Sequence, residues 1–197
     1  MLEVELKSVV NDMARRREEL EAAGAILVFE GRLEDRRYDT ADRSLTARDH
    51  VLRVRVYRDA HAMRAELDFK GPTQYQDGYK VREELDARVT DPDALIAILE
   101  RLGYVVTIAI DREIFQYELA GAVIRFEKYP RMDDLVEVEG QPDAIERAIV
   151  ALGLPRAGFL TDRLPDFARR FEERTGTPAA VSHAALAGNE RYDVSNA

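Results

Sequence analysis

The chain has 197 residues, enough for one medium domain, and 46% of them are hydrophobic, which supports a packed core and excludes wholesale disorder. Lys and Arg number 29 against 38 Asp and Glu, a net charge of −9 that argues against a general nucleic-acid-binding surface. With no cysteine and only His50, His61 and His183, disulfides, thiolate sites and cysteine nucleophiles are excluded; a bound metal would be held by oxygen, favouring Mg²⁺ or Mn²⁺.

Residues 2–8 alternate apolar and charged side chains, a strand signature, and residues 11–23 follow as a helix capped by Asn11 or Asp12 and stopped by Gly24. Met13, Leu20 and Ala23 are expected to face a core. Residues 25–39 and 51–58 read as strands, and 63–70 and 79–89 as a pair joined around Gly71, Pro72 and Gly78. Asp91 and Pro92 open a helix to Leu102, ended by Gly103, with Leu95, Ile98, Leu99 and Leu102 on one face. Strands are expected at 104–119, 122–129 and 134–139, then helices at 142–152 and about 162–175, the last with Leu164, Phe167 and Phe171 buried. This last helix caps the sheet, and a homodimer through its outer surface is allowed.

Residues 177–197, rich in Ala, Ser, Asn and Gly, read as a flexible tail after a single domain at 1–176. No apolar run approaches a membrane span and no signal peptide is visible, so the expected location is cytoplasmic. Helices and strands do not alternate regularly, which points to an α+β fold built on a mainly antiparallel sheet.

Splitting each strand into its two faces is informative, because neighbouring side chains point opposite ways. One face carries Glu3, Glu5 and Lys7; then Arg53 and Arg55; Arg64, Glu66, Asp68 and Lys70; Lys80, Arg82, Glu84, Asp86 and Arg88; Arg112; Arg125 and Glu127; and Glu137 and Glu139. The other face is apolar, with Val54, Leu67, Val81, Leu85, Val136 and Val138. A solvated sheet face is the simplest account. Against it stands the near absence of Thr, Ser and Gln. The alternative inverts the sheet, with helices outside on the apolar face and charges inside a closed barrel. Such a lumen suits a polyanion with a divalent metal.

EVELK at 3–7 resembles the Glu-x-Glu-x-Lys signature of the CYTH superfamily, the triphosphate tunnel metalloenzymes, and further blocks follow in family order. They are RRYDTADRSL at 36–45, VLRVRVYRD at 51–59, FKGP at 69–72, KVREELDARV at 80–89 with DPDALIAILERLGY at 91–104, and VEVEG at 136–140. The resemblance covers roughly residues 1–175. It implies a closed, eight-stranded antiparallel β-barrel with a charged lumen and helices outside. It also implies metal-site carboxylates at Glu3, Glu5, Glu127, Glu137 and Glu139, and triphosphate-binding cations at Lys7, Arg53, Arg55, Lys70 and Arg82, with Glu84 orienting them. Glu127 stands where the family commonly has Asp. Arg112 takes the place of a usual Lys, but Ile114 stands where an Arg is usual, and Arg125 is the expected substitute.

Two reactions fit this resemblance: the class IV adenylyl cyclase reaction, ATP to cyclic AMP and pyrophosphate, and hydrolysis of thiamine triphosphate, tripolyphosphate or nucleoside triphosphates. The KGP, YDT and LGY segments favour the cyclase branch. A non-catalytic polyphosphate or nucleotide sensor is the other-class alternative, supported by Ile114.

Overall fold

The computed structural model describes residues 2–189. Its strands are β1 (Leu2–Val9), β2 (Ile26–Thr40), β3 (Val51–Arg58), β4 (Met63–Lys70), β5 (Gln74–Gln76), β6 (Tyr79–Val89), β7 (Tyr104–Leu119), β8 (Ala122–Lys128) and β9 (Leu135–Gly140). All pairings are antiparallel, in the order β1-β9-β8-β7-β2-β3-β4-β6, and β1 pairs again with β6, so eight strands close into a barrel. The short β5 is a hairpin partner added to β6, a strand the sequence did not signal.

Period-two patterning makes this barrel inside out relative to a packed β-core. The apolar faces point outward and are covered by α1 (Met13–Ala22), α2 (Pro92–Arg101) and α3 (Pro142–Ala151). Ile145, Ala148 and Ile149 of α3, with Leu20 of α1, lie on Leu6, Ile124, Phe126, Val136 and Val138. Burying each of the large ones contributes about 1.5–3 kcal/mol. Leu99 of α2 packs on Val54, Val56 and Ala65, with Leu95 and Ile96 beside it. Local signals start these helices: Asp12 and Asp91 cap α1 and α2 by accepting from the N–H of Arg15 and Ala94, and Pro opens α2 and α3.

Four apolar expectations fail. Ala23 is exposed, and Ile98 and Leu102 are 53% and 69% exposed, because α2 meets the sheet along the narrower Leu95–Ile96–Leu99 line. Leu85, expected on a covered face, is also exposed, since no helix reaches that part of β6.

One end of the barrel is capped by α4 (Leu164–Thr175), whose Leu164, Phe167 and Ala168 pack with Ile108, Ile110, Tyr129, Met132 and Leu135. The described part of the segment expected as a tail lies against the same end. Ala180 bridges to Arg131, Val181 accepts from the Asp111 N–H, and Ala179–Ser182 are buried ahead of α5 (His183–Leu186). Small apolar side chains fit here where their composition suggested only flexibility. The rest of that segment, 190–197, lies outside the described residues. No helix among the described residues is long and apolar enough to cross a membrane.

Candidate active site

With the apolar faces outside, the charged faces converge on the barrel axis. From the α4 end inward, the luminal positions are Lys7, Glu5 and Glu3 on β1; Arg37, Asp35 and Leu33 on β2; Arg53, Arg55 and Tyr57 on β3; and Lys70, Asp68 and Glu66 on β4. They continue with Lys80, Arg82 and Glu84 on β6; Ile110, Arg112 and Ile114 on β7; Glu127 and Arg125 on β8; and Leu135, Glu137 and Glu139 on β9. Every expected site residue is therefore luminal. The cavity they enclose is framed at the α4 end by Thr46, Asp49 and His50 of the β2–β3 connection and by Arg163–Pro165. Ten basic side chains line it against five carboxylates, a net positive space inside an acidic protein.

Burying these charges is costly unless each finds partners, and here each does. Asp35, 1% exposed, accepts from Arg55 Nε at 3.2 Å and an Arg112 terminal NH at 2.9 Å, with Arg53 at 3.9 Å. Asp68 accepts from Arg53 Nε at 2.6 Å and lies 3.6 Å from Arg55. Burial alone would raise the Asp35 carboxyl, but Arg112, Arg55 and Arg53 hold it well below the usual range. These two aspartates set the arginine forks side by side on β3 and β7. Glu84, the residue expected to orient the cations, lies 3.3 Å from Lys70 and 3.6 Å from Arg53.

The expected metal carboxylates divide into two groups. Glu3, Glu5 and Glu139 each bring a carboxylate oxygen within 4.8 Å of the others. Three hard oxygen donors at that spacing fit Mg²⁺ or Mn²⁺. Burial pushes Glu5 up, yet Lys7, Lys80 and Lys70 hold it well below the usual range; Lys80 bonds it directly. Burial and Glu5 act on Glu3 in the same upward direction, but Lys70, which donates to it at 2.6 Å, brings it down. Glu139 is raised, by burial first, with Arg125 opposing and Glu3 adding.

Glu137 and Glu127 stand apart from that cluster. Glu137 pairs with Lys7 and Arg125. Glu127 accepts from Arg112 Nε at 2.8 Å and from the Tyr129 hydroxyl at 2.7 Å, so both its oxygens are committed. Burial opposes its ionisation, but Arg112, Lys7 and Arg125 lower it to about 2.

Arg125 shares the luminal face with Glu127 as expected, and its buried Nε makes no hydrogen bond among the described residues. Arg82 is turned toward the rim, donating to the carbonyls of Gly71 at 2.7 Å and Asp49 at 2.7 Å. Ile114 does not face a gap. It is fully buried with Leu33 and Tyr57, and Phe29 packs beside them, an apolar layer on the side of the lumen away from α4. Tyr57 is thus luminal packing, and His50 meets the Phe69 ring edge-on at 5.2 Å.

Asp35, Asp68, Lys80, Asp49 and Arg163 carry no role in the sequence reading. Asp68 and Lys80 were on a luminal face already. Asp35 lies in a run where both faces are charged, and Asp49 and Arg163 reach the rim from a loop and a helix terminus, where period-two patterning says nothing.

No curated protein sequence matches the chain. Among solved structures, the PH1819 protein from Pyrococcus horikoshii OT3 superposes with a TM-score of 0.69 at 24% identity, over 82% of this chain and 94% of that one. A candidate adenylate cyclase from Vibrio parahaemolyticus superposes with a TM-score of 0.72 at 20% identity, over 85% and 97%. The candidate adenylyl cyclase HpAC1 from Hippeastrum, described as having a dominant triphosphatase activity, aligns over 100% and 99% with a TM-score of 0.54 and 14% identity. At these identities the likeness concerns the fold. The model of the CYTH domain matches residues 1–146, through β9 and into α3, and the chain therefore belongs to the CYTH domain family.

Proposed function

We propose that this chain is a divalent-metal-dependent enzyme that cleaves a phosphoanhydride bond of a triphosphate held in the barrel. The observation that carries the reading is a net positive cavity, inside a protein of net charge −9, adjoining the Glu3–Glu5–Glu139 carboxylates. A divalent cation on those carboxylates would neutralise phosphate charge and polarise the reacting P–O bond. The chain's own residues do the rest. Arg53, Arg55 and Arg112, preset by Asp35 and Asp68, offer planar N–H forks to non-bridging oxygens, while Lys7, Lys70 and Arg125 supply charge that grows in value as negative charge shifts to the leaving group.

The sequence blocks favour the class IV adenylyl cyclase reaction, in which ATP yields cyclic AMP and pyrophosphate. The same cavity and the adjoining Glu3–Glu5–Glu139 carboxylates also serve the alternative, hydrolysis of ATP, thiamine triphosphate or tripolyphosphate. Incubation with Mn²⁺ and ATP, and separately with Mn²⁺ and tripolyphosphate, separates these. Cyclic AMP with pyrophosphate supports cyclisation and orthophosphate supports hydrolysis. Binding with no product leaves a sensor, and no binding refutes the reading.

A further inference from the structure

The apolar stripe of α2 is only half used. Leu95, Ile96 and Leu99 face the barrel, but Ala94, Ile98 and Leu102, each four residues from the next, form a second row along the helix flank, all exposed. Val105, 44% exposed at the start of β7, follows Leu102 past the Gly103 turn. Exposed apolar side chains gathered in one row mark an interaction surface, where scattered ones do not. Asp93 in the first turn and Arg101 in the last border this row on the side away from the barrel, both exposed and neither in an ion pair among the described residues. The last long helix, α4, where the sequence allows a dimer contact, differs. Its outer Arg169, Arg170 and Arg174 are already paired within the chain, with Asp166, Asp162 and Asp133.

We propose that this flank of α2 docks against the same flank of a second copy of the chain, the two helices running antiparallel across a two-fold axis at Ile98. The row is its own complement, as a two-fold contact requires. Around that axis Ile98 meets the partner's Ile98, and the small Ala94 takes in the partner's Leu102, so that large fills small at both ends. Each Arg101 comes beside the partner's Asp93, and each helix C-terminus beside the partner's N-terminus, so side-chain charges and helix dipoles agree. An unrelated partner would have to supply the same order of acid, small, large and base. The pairing uses no residue of the lumen and stands apart from the triphosphate reading.

Sedimentation velocity on the full chain tests this. One helix pair with Val105 beside it is a small interface, so the protein should be monomeric at about 1 µM and mostly dimeric at about 100 µM. Ile98→Lys and Ile98→Glu each set like charges face to face on the axis and should raise the dissociation constant at least about 100-fold. An equal mixture of these two variants should recover the dimer, because Lys then meets Glu, and a misfolded variant could not do this. Arg101→Glu, a milder change made at both symmetric contacts, should weaken the dimer about tenfold. A monomeric unaltered chain at about 100 µM would overturn the proposal. So would a dimer that persists in both Ile98 variants, a mixture that stays monomeric, or unchanged affinity in Arg101→Glu.

Discussion

Glu127→Gln tests whether the luminal charges stabilise the barrel or burden it. The Glu127 carboxyl is 1% exposed, bonded to Arg112 and Tyr129, and lowered from 4.5 to about 2. Because the folded value lies below the unfolded one, its contribution is present above about pH 4.5 and is lost as pH falls toward 2. At about 1.4 kcal/mol per unit the shift corresponds to roughly 3 kcal/mol near neutrality, falling to about 1 kcal/mol at pH 3. In this size range that is about 10 °C in Tm. Urea unfolding, without added metal or phosphate, should show the variant less stable by this amount at pH 7, with the gap closing as pH falls. A gap that stays constant with pH would refute the electrostatic account and leave only packing. An unchanged stability at pH 7 would show that desolvation cancels the pairing.

Three further outcomes follow from the same geometry. Glu3→Gln with Glu5→Gln should weaken Mn²⁺ binding, measured by calorimetry, by more than the roughly 100-fold typical of outer partners, and abolish metal-dependent turnover; retained activity would sink the site assignment. Arg125→Ala should weaken tripolyphosphate binding about 10- to 100-fold, the worth of one charge-assisted hydrogen bond, while unchanged affinity would end its role as substitute for the cation missing at Ile114. Gly31→Ala should destabilise by about 2 kcal/mol or more in chemical denaturation, because a Cβ there would lie 2.2 Å from the Arg58 carbonyl oxygen, a backbone atom that no rotamer change can move.

Strands were legible where apolar residues recur with period two. Residues 51–58, 63–70, 79–89 and 104–119 match β3, β4, β6 and β7 residue for residue, because alternation marks them and Gly71, Gly78, Gly103 and Gly121 bound the last three. The charged face was legible too, since Arg53 and Arg55 could only lie opposite Val54 and Val56. Alternation fails at Glu34–Arg37, four charges in a row, so the Asp35 that holds three arginines went unnoticed. Helix periodicity overstated burial at Ile98 and Leu102, since an apolar stripe tells what could be covered and not how wide the partner is. Asp49 and Arg163 meet across 114 positions, a contact that depends on how the chain ends return to the rim.

The pairing that closes the barrel has a consequence for how the chain is made. Strand β1 is made before both its neighbours, β6 and β9, which come much later, the latter at residues 135–140. On the ribosome β1 must wait with both edges open, and ring closure becomes a late step of high sequence separation, which slows folding. Glu3, Glu5 and Lys7, which furnish the interior of the finished barrel, meanwhile keep that waiting strand hydrated and discourage it from pairing with another chain.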